Sequence, residues 1–383
     1  MPNASMTMSA KKNIIADRVH AFPSGRIREV FRLAAQLKNP INLSIGQADF
    51  DVPQPIKDRI KQAIDENHNG YSQAQGIEPL RRELQTQIDN RFAQADRQVF
   101  VTSGTSSGLT LACLALINPG DEVIFFDPYF VQYPALVQLV GGIPVKINTY
   151  PDFSINLEKL ESAINDRTKM IIINSPANPT GCCLTRDELI GIAEIARRYG
   201  LIVVSDEIYS TFNYDQPHYC FAEFDDQAIV VDGFSKSHAM AGLRLAFVHG
   251  PKQIIDAMIQ LQQLTFVCAP HPVQWGGLVG LHTDTSEFMK EYRKKRDWLI
   301  AELSSYYEIS QPSERRPGGA FYIFPKLPWG TGQEFFEAAL AKNLIMIPGS
   351  LFSDQDSHFR LSYAASDSTL QQGIDVLKKL ATR

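Results

Sequence analysis

Polar residues and glycines follow directly after several apolar runs of this sequence, where side chains can meet a ligand. Asp206 and Tyr209 end the run LIVVSDEIY, and Lys236 follows AIVVDGFS. Asn178 lies in the turn NSPANPTG, and Gly104 lies in VTSGTSSGL, just before a helical stretch. An acid inside an apolar strand is costly unless a cation or a donor meets it. The free N–H groups at the start of a helix suit a phosphate.

Each of these stretches also has a plain structural explanation when it is taken singly. Asp206 could form an ion pair or cap a helix, and Lys236 could be a solvated loop residue. The turn at Gly104 matches neither the GxGxxG of dinucleotide-binding proteins nor the GxxxxGK[ST] of nucleotide hydrolases. The conjunction is specific, because a phosphate-binding turn, a turn asparagine, Asp-x-x-Tyr and Ser-Lys after successive strands are the parts needed to hold pyridoxal phosphate.

The elements that position these residues alternate between short β-branched runs and helical stretches from about residue 97 to 250. Seven runs are predicted as strands: 98–103, 122–128, 143–150, 169–176, 201–209, 228–235 and 243–250. Several are apolar without alternation, as in strands that are covered on both faces. This order predicts an α/β fold with a mostly parallel central sheet sandwiched by helices. Ligands of such sheets bind beyond the carboxyl ends of the strands.

After residue 250 the order changes to helices mixed with strands of an antiparallel kind, including a long amphipathic helix over 286–306. We predict a large cofactor-binding domain of residues 46–285 and a second, smaller α+β domain of residues 286–383. Residues 1–45 are expected to pack with the smaller domain, an expectation that comes from the family resemblance given below. The basic runs KEYRKKR (290–296) and RRP (315–317) are interpreted as solvated faces.

Composition narrows the class of protein further. The net charge of −5 provides no overall basic field for nucleic acid. Apolar runs such as 109–117 are shorter than the ~20 residues that cross a bilayer. Five cysteines without a C-x-x-C pair favour a reducing, cytoplasmic setting. The histidines show no metal-ligand spacing, so we expect no metal site. The net charge and the short apolar runs lead us to expect no nucleic-acid partner and no membrane partner.

Longer blocks make the sequence similar to the class I and II aminotransferases, which are pyridoxal-phosphate enzymes of fold type I. The blocks are LSIGQADFDVP (43–53), YSQAQGIEPLR (71–81), NPTG (178–181) and FRLSYA (359–364), in family order over nearly the whole chain. The resemblance, which extends to aspartate and aromatic aminotransferases, implies transfer of an amino group from an L-amino acid to a 2-oxo acid. It implies a ping-pong mechanism with 2-oxoglutarate as the favoured acceptor, and pyridoxal 5′-phosphate as the cofactor.

The resemblance also implies roles for the residues that surround the cofactor ring. Lys236 would bind the cofactor aldehyde covalently and serve as the general base, and Asp206 would pair with the pyridine nitrogen. Tyr209 and Asn178 would donate hydrogen bonds to the 3′-oxygen. Phe130 would stack on the ring, although Phe130 and its neighbour Tyr133 could equally be ordinary core aromatics.

Phosphate and substrate ligands follow from the same resemblance. The implied phosphate ligands are Gly104, Thr105, Ser106, Ser235 and Arg244, together with Tyr71 from the neighbouring subunit of a homodimer. Arg360 would bind the substrate α-carboxylate with its planar fork. Asn178 would also contact the substrate, and Gly46 would let the backbone approach it. One position departs from the family pattern: Gly233 stands where a serine is common, so Ser235, Ser237 or water would have to replace a phosphate donor.

The amino donor stays open at this point, with aspartate, aromatic residues and alanine as alternatives. Arg26 or Arg28 could bind a distal carboxylate, and each could equally be an ordinary surface charge. Within the same fold, a C–S β-lyase could use the same lysine, aspartate and arginine. A nicotinamide-dependent dehydrogenase is disfavoured, because GxGxxG followed by an acid is missing. The ligand-sensing half of a transcriptional regulator is remote, since the family blocks begin by residue 43.

Overall fold

Apolar β-branched runs build the central sheet of the computed structural model, which describes residues 14–20, 32, 37–92, 94, 96–310 and 316–382. A first short strand, β1 (Ile41–Asn42), lies outside this sheet. The strands of the central sheet are β2 (Arg97–Thr102), β3 (Glu122–Asp127), β4 (Ile143–Asn148), β5 (Thr168–Asn174), β6 (Ile202–Asp206), β7 (Ile229–Gly233) and β8 (Ala246–Pro251). All seven predicted strands are therefore present.

The seven strands form one sheet in the order β2-β8-β7-β6-β5-β3-β4. Strand β8 runs antiparallel to both of its neighbours, and the other pairs are parallel. The mostly parallel α/β prediction is thus confirmed. Because β6 and β7 are adjacent and parallel, their carboxyl ends bring the segments that carry Asp206 and Lys236 to the same edge of the sheet.

Helices cover the sheet, and local sequence signals mark where they begin and end. The helices up to residue 280 are Asp17–His20, Gln54–Asp65, Glu78–Arg91, Thr105–Leu116, Gln132–Leu139, Leu157–Ser162, Arg186–Tyr199, Phe234–Ser237, Lys252–Thr265 and His271–Gly280. Thr185 and Glu188 form a reciprocal capping box at the start of Arg186–Tyr199. Gly200, with φ 64°, ends that helix in the left-handed conformation that glycine tolerates.

The C-terminal part has the mixed α+β order that the sequence predicts. Its elements are the helix Ser286–Leu303, β9 (Tyr322–Ile323), the helix Gly332–Leu340, β10 (Leu344–Ile345), β11 (Ile347–Pro348), β12 (Phe359–Ser362) and the helix Asp367–Ala381. Strands β11, β12 and β9 form an antiparallel sheet, and β1 pairs in parallel with β10. The domain boundaries at residues 45 and 285 stay a prediction.

Two arginines of the basic runs are buried, so the interpretation of those runs as solvated faces was wrong for them. Arg296, whose side chain is 2% exposed, makes a bidentate ion pair with Asp215 at 2.5 and 2.9 Å. Arg316, whose side chain is 4% exposed, binds both carboxylate oxygens of Glu188 at 3.0 Å. Each buried guanidinium is thus paired with a carboxylate from a distant part of the chain, as burial of a charge requires.

Two further searches of the described residues bear on partners and ligands. Within those residues, no helix is both long and apolar enough to span a membrane. The same part of the chain contains no group of three or more His, Cys, Asp or Glu side chains that could hold a metal ion.

Candidate active site

Lys236 lies in the short helix Phe234–Ser237 that directly follows β7. Its ammonium donates a 2.5 Å hydrogen bond to the backbone carbonyl of Gly46 and lies 5.7 Å from the ring centroid of Tyr209. Burial and the nearby charge of Arg360 lower the pKa of Lys236 to about 8, against the opposing attraction of Asp206. A buried amine that titrates this close to neutral pH can exchange protons during a reaction.

Asp206 ends β6 and is almost completely buried. The hydroxyl of Tyr133, from the helix Gln132–Leu139, donates a 2.8 Å hydrogen bond to its Oδ2. Burial raises the pKa of Asp206 to about 6, while the hydrogen bond from Tyr133 and the charge of Lys236 oppose that rise. The carboxylate is therefore fixed in position and could pair with a cationic group of a ligand.

Arg360 lies in β12, and its side chain contacts Asn178 in the turn that follows β5. Its Nη1 donates to Oδ1 of Asn178 at 2.9 Å, and its Nη2 donates to the carbonyl of Ser44 at 2.6 Å. The guanidinium carbon lies 4.6 Å from the ring centroid of Tyr322 and 4.7 Å from that of Phe352. Its buried Nε has no hydrogen-bond partner among the described residues, so a donor is left for a ligand carboxylate.

The turn before the helix Thr105–Leu116 lies against a positively charged side chain. Gly104, with φ 83°, lies against the guanidinium of Arg244, and a Cβ at that position would collide with it. The helix start presents Thr105 and Ser106, and the hydroxyl of Ser106 donates to Gln132 at 3.1 Å. The buried hydroxyl of Ser235 has no partner in the part of the chain that the structure describes. Of these groups, the guanidinium of Arg244 and the unpaired hydroxyl of Ser235 could donate to an anion.

Gly233 departs from the family pattern for a steric reason. A Cβ at this position would lie 2.6 Å from both Cα and Cβ of Ala246 on the neighbouring strand β8. Of the two hydroxyls that could compensate, that of Ser237 is already bound to His238 at 2.8 Å. The unpaired hydroxyl of Ser235 is therefore the better placed of the two to replace the missing donor.

The remaining predicted residues lie at the margin of the site or outside the described chain. Phe130 is half-buried and packs edge-to-face on Tyr133, with ring centroids 5.6 Å apart. Tyr71 is 86% exposed. Arg26 and Arg28 lie outside the described residues.

Several residues of the site carry no clear signal in the sequence. Tyr133 was weighed as a core aromatic, but its hydroxyl binds Asp206. Tyr322 and Phe352 enclose Arg360, and the strand alternation of GAFYIF is the only hint of the first. Glu207, next to Asp206, faces away from Lys236 toward His218, whose Nε2 is 2.6 Å from its carboxylate. Partners that come from distant segments cannot be seen in local patterns.

Comparison with known families decides the class of protein. The sequence model of the family described as "Aminotransferase class I and II" matches residues 38–377. The chain belongs to the class I and II aminotransferases. Members of this family and fold are generally dependent on pyridoxal phosphate. The function predicted from the sequence, an aminotransferase, is confirmed, and the comparisons lend no support to the lyase alternative.

Curated relatives and solved structures agree with this assignment. The chain is 34% identical to the "Probable aspartate aminotransferase" of Methanocaldococcus jannaschii, over 96% of this chain and 100% of that protein. It is 32% identical to "Aromatic-amino-acid aminotransferase 2" of Thermococcus litoralis, over 96% and 98% of the two chains. The Thermus thermophilus aspartate aminotransferase structure with maleate superposes with a TM-score of 0.88 at 29% identity, over 96% and 99% of the chains.

Proposed function

We propose that this aminotransferase holds pyridoxal 5′-phosphate at the edge formed by β6 and β7, with Lys236 as its covalent anchor. The observation that carries the proposal is the buried amine of Lys236, hydrogen-bonded to Gly46 and flanked by the charges of Asp206 and Arg360. No other arrangement of amine, carboxylate and guanidinium described above combines burial with a pKa near neutrality. These are the properties that a covalent amine catalyst needs.

The donors and the shape of the site fit this cofactor. Gly104, Thr105, Ser106, Ser235 and Arg244 would hold its phosphate. The support is the orphan hydroxyl of Ser235 and the guanidinium that lies where a side chain at position 104 would be. Asp206 would hold a proton at the pyridine nitrogen, Tyr209 and Asn178 would bind the 3′-oxygen, and Phe130 would cover one ring face.

In the reaction, the bound cofactor supplies a ring that accepts electrons from the substrate α-carbon. Arg360 binds the α-carboxylate through its fork and orients the substrate. Asp206 would present its negative charge to the ring nitrogen, which would favour the protonated form of that nitrogen. Lys236 would hold on its Nζ the proton that leaves the substrate α-carbon.

The amino donor is proposed to be aspartate, an aromatic amino acid or alanine, with 2-oxoglutarate as the acceptor. The names of the relatives support aspartate and aromatic substrates. Arg26 or Arg28 could bind a distal carboxylate, and an ordinary surface charge is the alternative for each. Comparing donors in wild type, Arg26→Ala and Arg28→Ala tests this, because an unchanged acidic preference in both variants would eliminate both arginines.

The chain is proposed to act as a homodimer in the cytoplasm. Tyr71 is 86% exposed, as is expected of a side chain that reaches the phosphate site of a second copy. The buried thiols of Cys113, Cys182, Cys183 and Cys220 are free, which suits a reducing compartment.

The proposed function is tested by a half-reaction screen. The purified protein is loaded with the cofactor, mixed with single amino acids, and conversion of the bound aldehyde to the amine form is followed by absorbance. Lys236→Ala is expected to lose both turnover and the absorption of the covalent adduct, whereas Lys252→Ala, which removes an exposed lysine, keeps both. Normal turnover in Lys236→Ala would overturn the proposal.

A further inference from the structure

Tyr322 is a fully buried residue that contacts three parts of the site at once. It lies in β9, beside β12, which carries Arg360. Its hydroxyl is 2.8 Å from the hydroxyl of Tyr209. A Cβ at Gly46 would lie 2.6 Å from the same hydroxyl, so the Tyr322 side chain fills the space beside the carbonyl that Lys236 binds.

The ring of Tyr322 also packs against the guanidinium of Arg360. The guanidinium carbon lies 4.6 Å from its centroid and 4.7 Å from the centroid of Phe352. Contact with two aromatic rings restricts the orientation of the planar fork and stabilises the charge of this buried side chain. Because β9 and β12 pair directly, with Ser362 opposite Tyr322, the sheet itself fixes this arrangement.

The two phenol hydroxyls form a buried pair in which one donates and the other accepts. Burial and the neighbouring Tyr322, to which its hydroxyl can donate, raise the pKa of Tyr209 well above its usual value. Tyr209 is therefore a neutral hydrogen-bond donor over the whole physiological range. When Tyr209 donates to a ligand instead, its oxygen is left to accept a hydrogen bond from Tyr322. A hydroxyl that receives a hydrogen bond becomes a stronger donor, so Tyr322 affects what Tyr209 can bind.

We propose that Tyr322 is a positioning residue for the reaction: its hydroxyl orients and polarises Tyr209, and its ring holds Arg360 in place for the substrate carboxylate. This rests on the proposed function, which assigns the cofactor oxygen to Tyr209 and the carboxylate to Arg360. The hydroxyl and the ring thus serve two separable purposes, and two substitutions can separate them.

The test compares Tyr322→Phe and Tyr322→Met with a matched control, Tyr307→Phe. Tyr307 is also buried in the C-terminal part, and its hydroxyl donates a 2.7 Å hydrogen bond to the backbone carbonyl of Leu377. For Tyr322→Phe we expect kcat to fall about threefold to tenfold, the effect of one buried hydrogen bond, with KM for the amino acid unchanged. For Tyr322→Met we expect KM to rise as well, about tenfold, because the aromatic face is lost.

Two spectroscopic readings distinguish positioning from a loss of stability. Binding of pyridoxamine 5′-phosphate to the apoprotein, followed by fluorescence, should weaken about threefold in Tyr322→Phe and stay unchanged in Tyr307→Phe. The pH at which the visible absorption of the holoenzyme changes should rise in Tyr322→Phe, because Tyr209 becomes a weaker donor. Melting temperatures are measured for all three variants.

The outcomes separate this proposal from the function on which it rests. If the wild type neither binds pyridoxamine 5′-phosphate nor transaminates, the proposed function itself fails. If the wild type does both and Tyr322→Phe matches Tyr307→Phe in kcat, cofactor affinity and absorption, the positioning proposal is overturned while the function stands. If KM is unchanged in a folded Tyr322→Met protein, the proposed role of the ring in holding Arg360 is overturned.

Discussion

The hydroxyl of Tyr133 donates a 2.8 Å hydrogen bond to Oδ2 of Asp206, and both side chains are shielded from solvent. Burial alone would favour the neutral acid, and this hydroxyl stabilises the ionised form. Its effect is incomplete, because the pKa of Asp206 remains raised to about 6. The carboxylate that is proposed to pair with the ring nitrogen therefore depends on this hydroxyl, together with the backbone N–H of Ile208 and the charge of Lys236, to stay ionised near neutral pH.

Replacing Tyr133 with phenylalanine should make Asp206 a weaker acid. Loss of the hydroxyl removes an interaction that lowers the pKa, so the pKa of Asp206 should rise above about 6. The acidic limb of the kcat/KM profile should move to higher pH, with a loss of about threefold to tenfold at neutral pH. Carbon NMR of labelled aspartate in the apoprotein measures the same shift without turnover.

Tyr129→Phe is the control for this substitution. Tyr129 lies just before the helix that carries Tyr133, and the ammonium of Lys146 is 5.2 Å from the centroid of its ring. Its profile should follow that of the wild type. An acidic limb that stays in place in Tyr133→Phe would contradict the assignment of this hydrogen bond.

Arg360→Met should affect both the substrate and Lys236. The positive charge of Arg360 lowers the pKa of Lys236, so its removal should raise that pKa above about 8. Labelling of Lys236 in the apoprotein by an amine-specific acylating reagent, followed by peptide mass analysis, should then require a higher pH. KM for amino acids should rise about a hundredfold with the loss of two charged hydrogen bonds.

Arg293→Met removes an exposed arginine and serves as the reference for that experiment. Its labelling profile and KM should equal those of the wild type. If Lys236 in Arg360→Met is labelled at the same pH as in the wild type, the charge of Arg360 does not reach the amine.

The regular part of the fold was predictable because strands covered on both faces are written as continuous apolar runs. All seven predicted strands are present, with ends that differ by a few residues. Two ends differ by as many as three residues: β6 ends at Asp206 instead of residue 209, and β8 begins at Ala246 instead of residue 243. For β8 the reason is the turn before it, where Arg244 adopts φ 57° and cannot belong to a strand.

Side-chain partners from distant segments were not predictable. Arg316 lies in the short basic run RRP, but its partner Glu188 lies 128 residues earlier in the chain. Arg296 and Asp215 are 81 residues apart. The Tyr133–Asp206 and Tyr322–Tyr209 hydrogen bonds are of the same kind. Local patterns report which face of an element is apolar, and they contain no information about which polar group will face another across the core.

His218→Ala should destabilise the fold by leaving a buried charge without its partner. Glu207, whose side chain is 4% exposed, accepts bonds from His218, Ser205 and the N–H of Phe221. Removing one partner of such a pair costs about 3 kcal/mol in the free energy of unfolding. Denaturant unfolding measures this, and Lys252→Ala, which breaks an exposed pair, should change it by less than about 0.5 kcal/mol.

The pH dependence of stability provides a second check on the same pair. The folded pKa of Glu207 is lowered from 4.5 to about 2, so its contribution is present above 4.5 and is lost as the pH falls toward 2. The pKa of His218 is raised from 6.5, so its contribution is present below 6.5 and is lost as the pH rises through the folded pKa. The difference between wild type and His218→Ala should therefore be greatest between 4.5 and 6.5. A difference that does not vary with pH would contradict an ionic contribution.

Gly233→Ser should harm the protein although it restores the residue common in the family. A Cβ at 233 would lie 2.6 Å from the Cα of Ala246, and backbone cannot move aside as a flexible side chain can. Overpacking of this kind costs about 1–3 kcal/mol, and the displaced turn should weaken pyridoxamine 5′-phosphate binding. Gly242→Ser is the matched control, since nothing lies within 4 Å of the added Cβ. Denaturant unfolding and cofactor titration of both variants measure the two effects. Tighter cofactor binding in Gly233→Ser would show that the phosphate site accepts the serine and that Ser235 does not replace it.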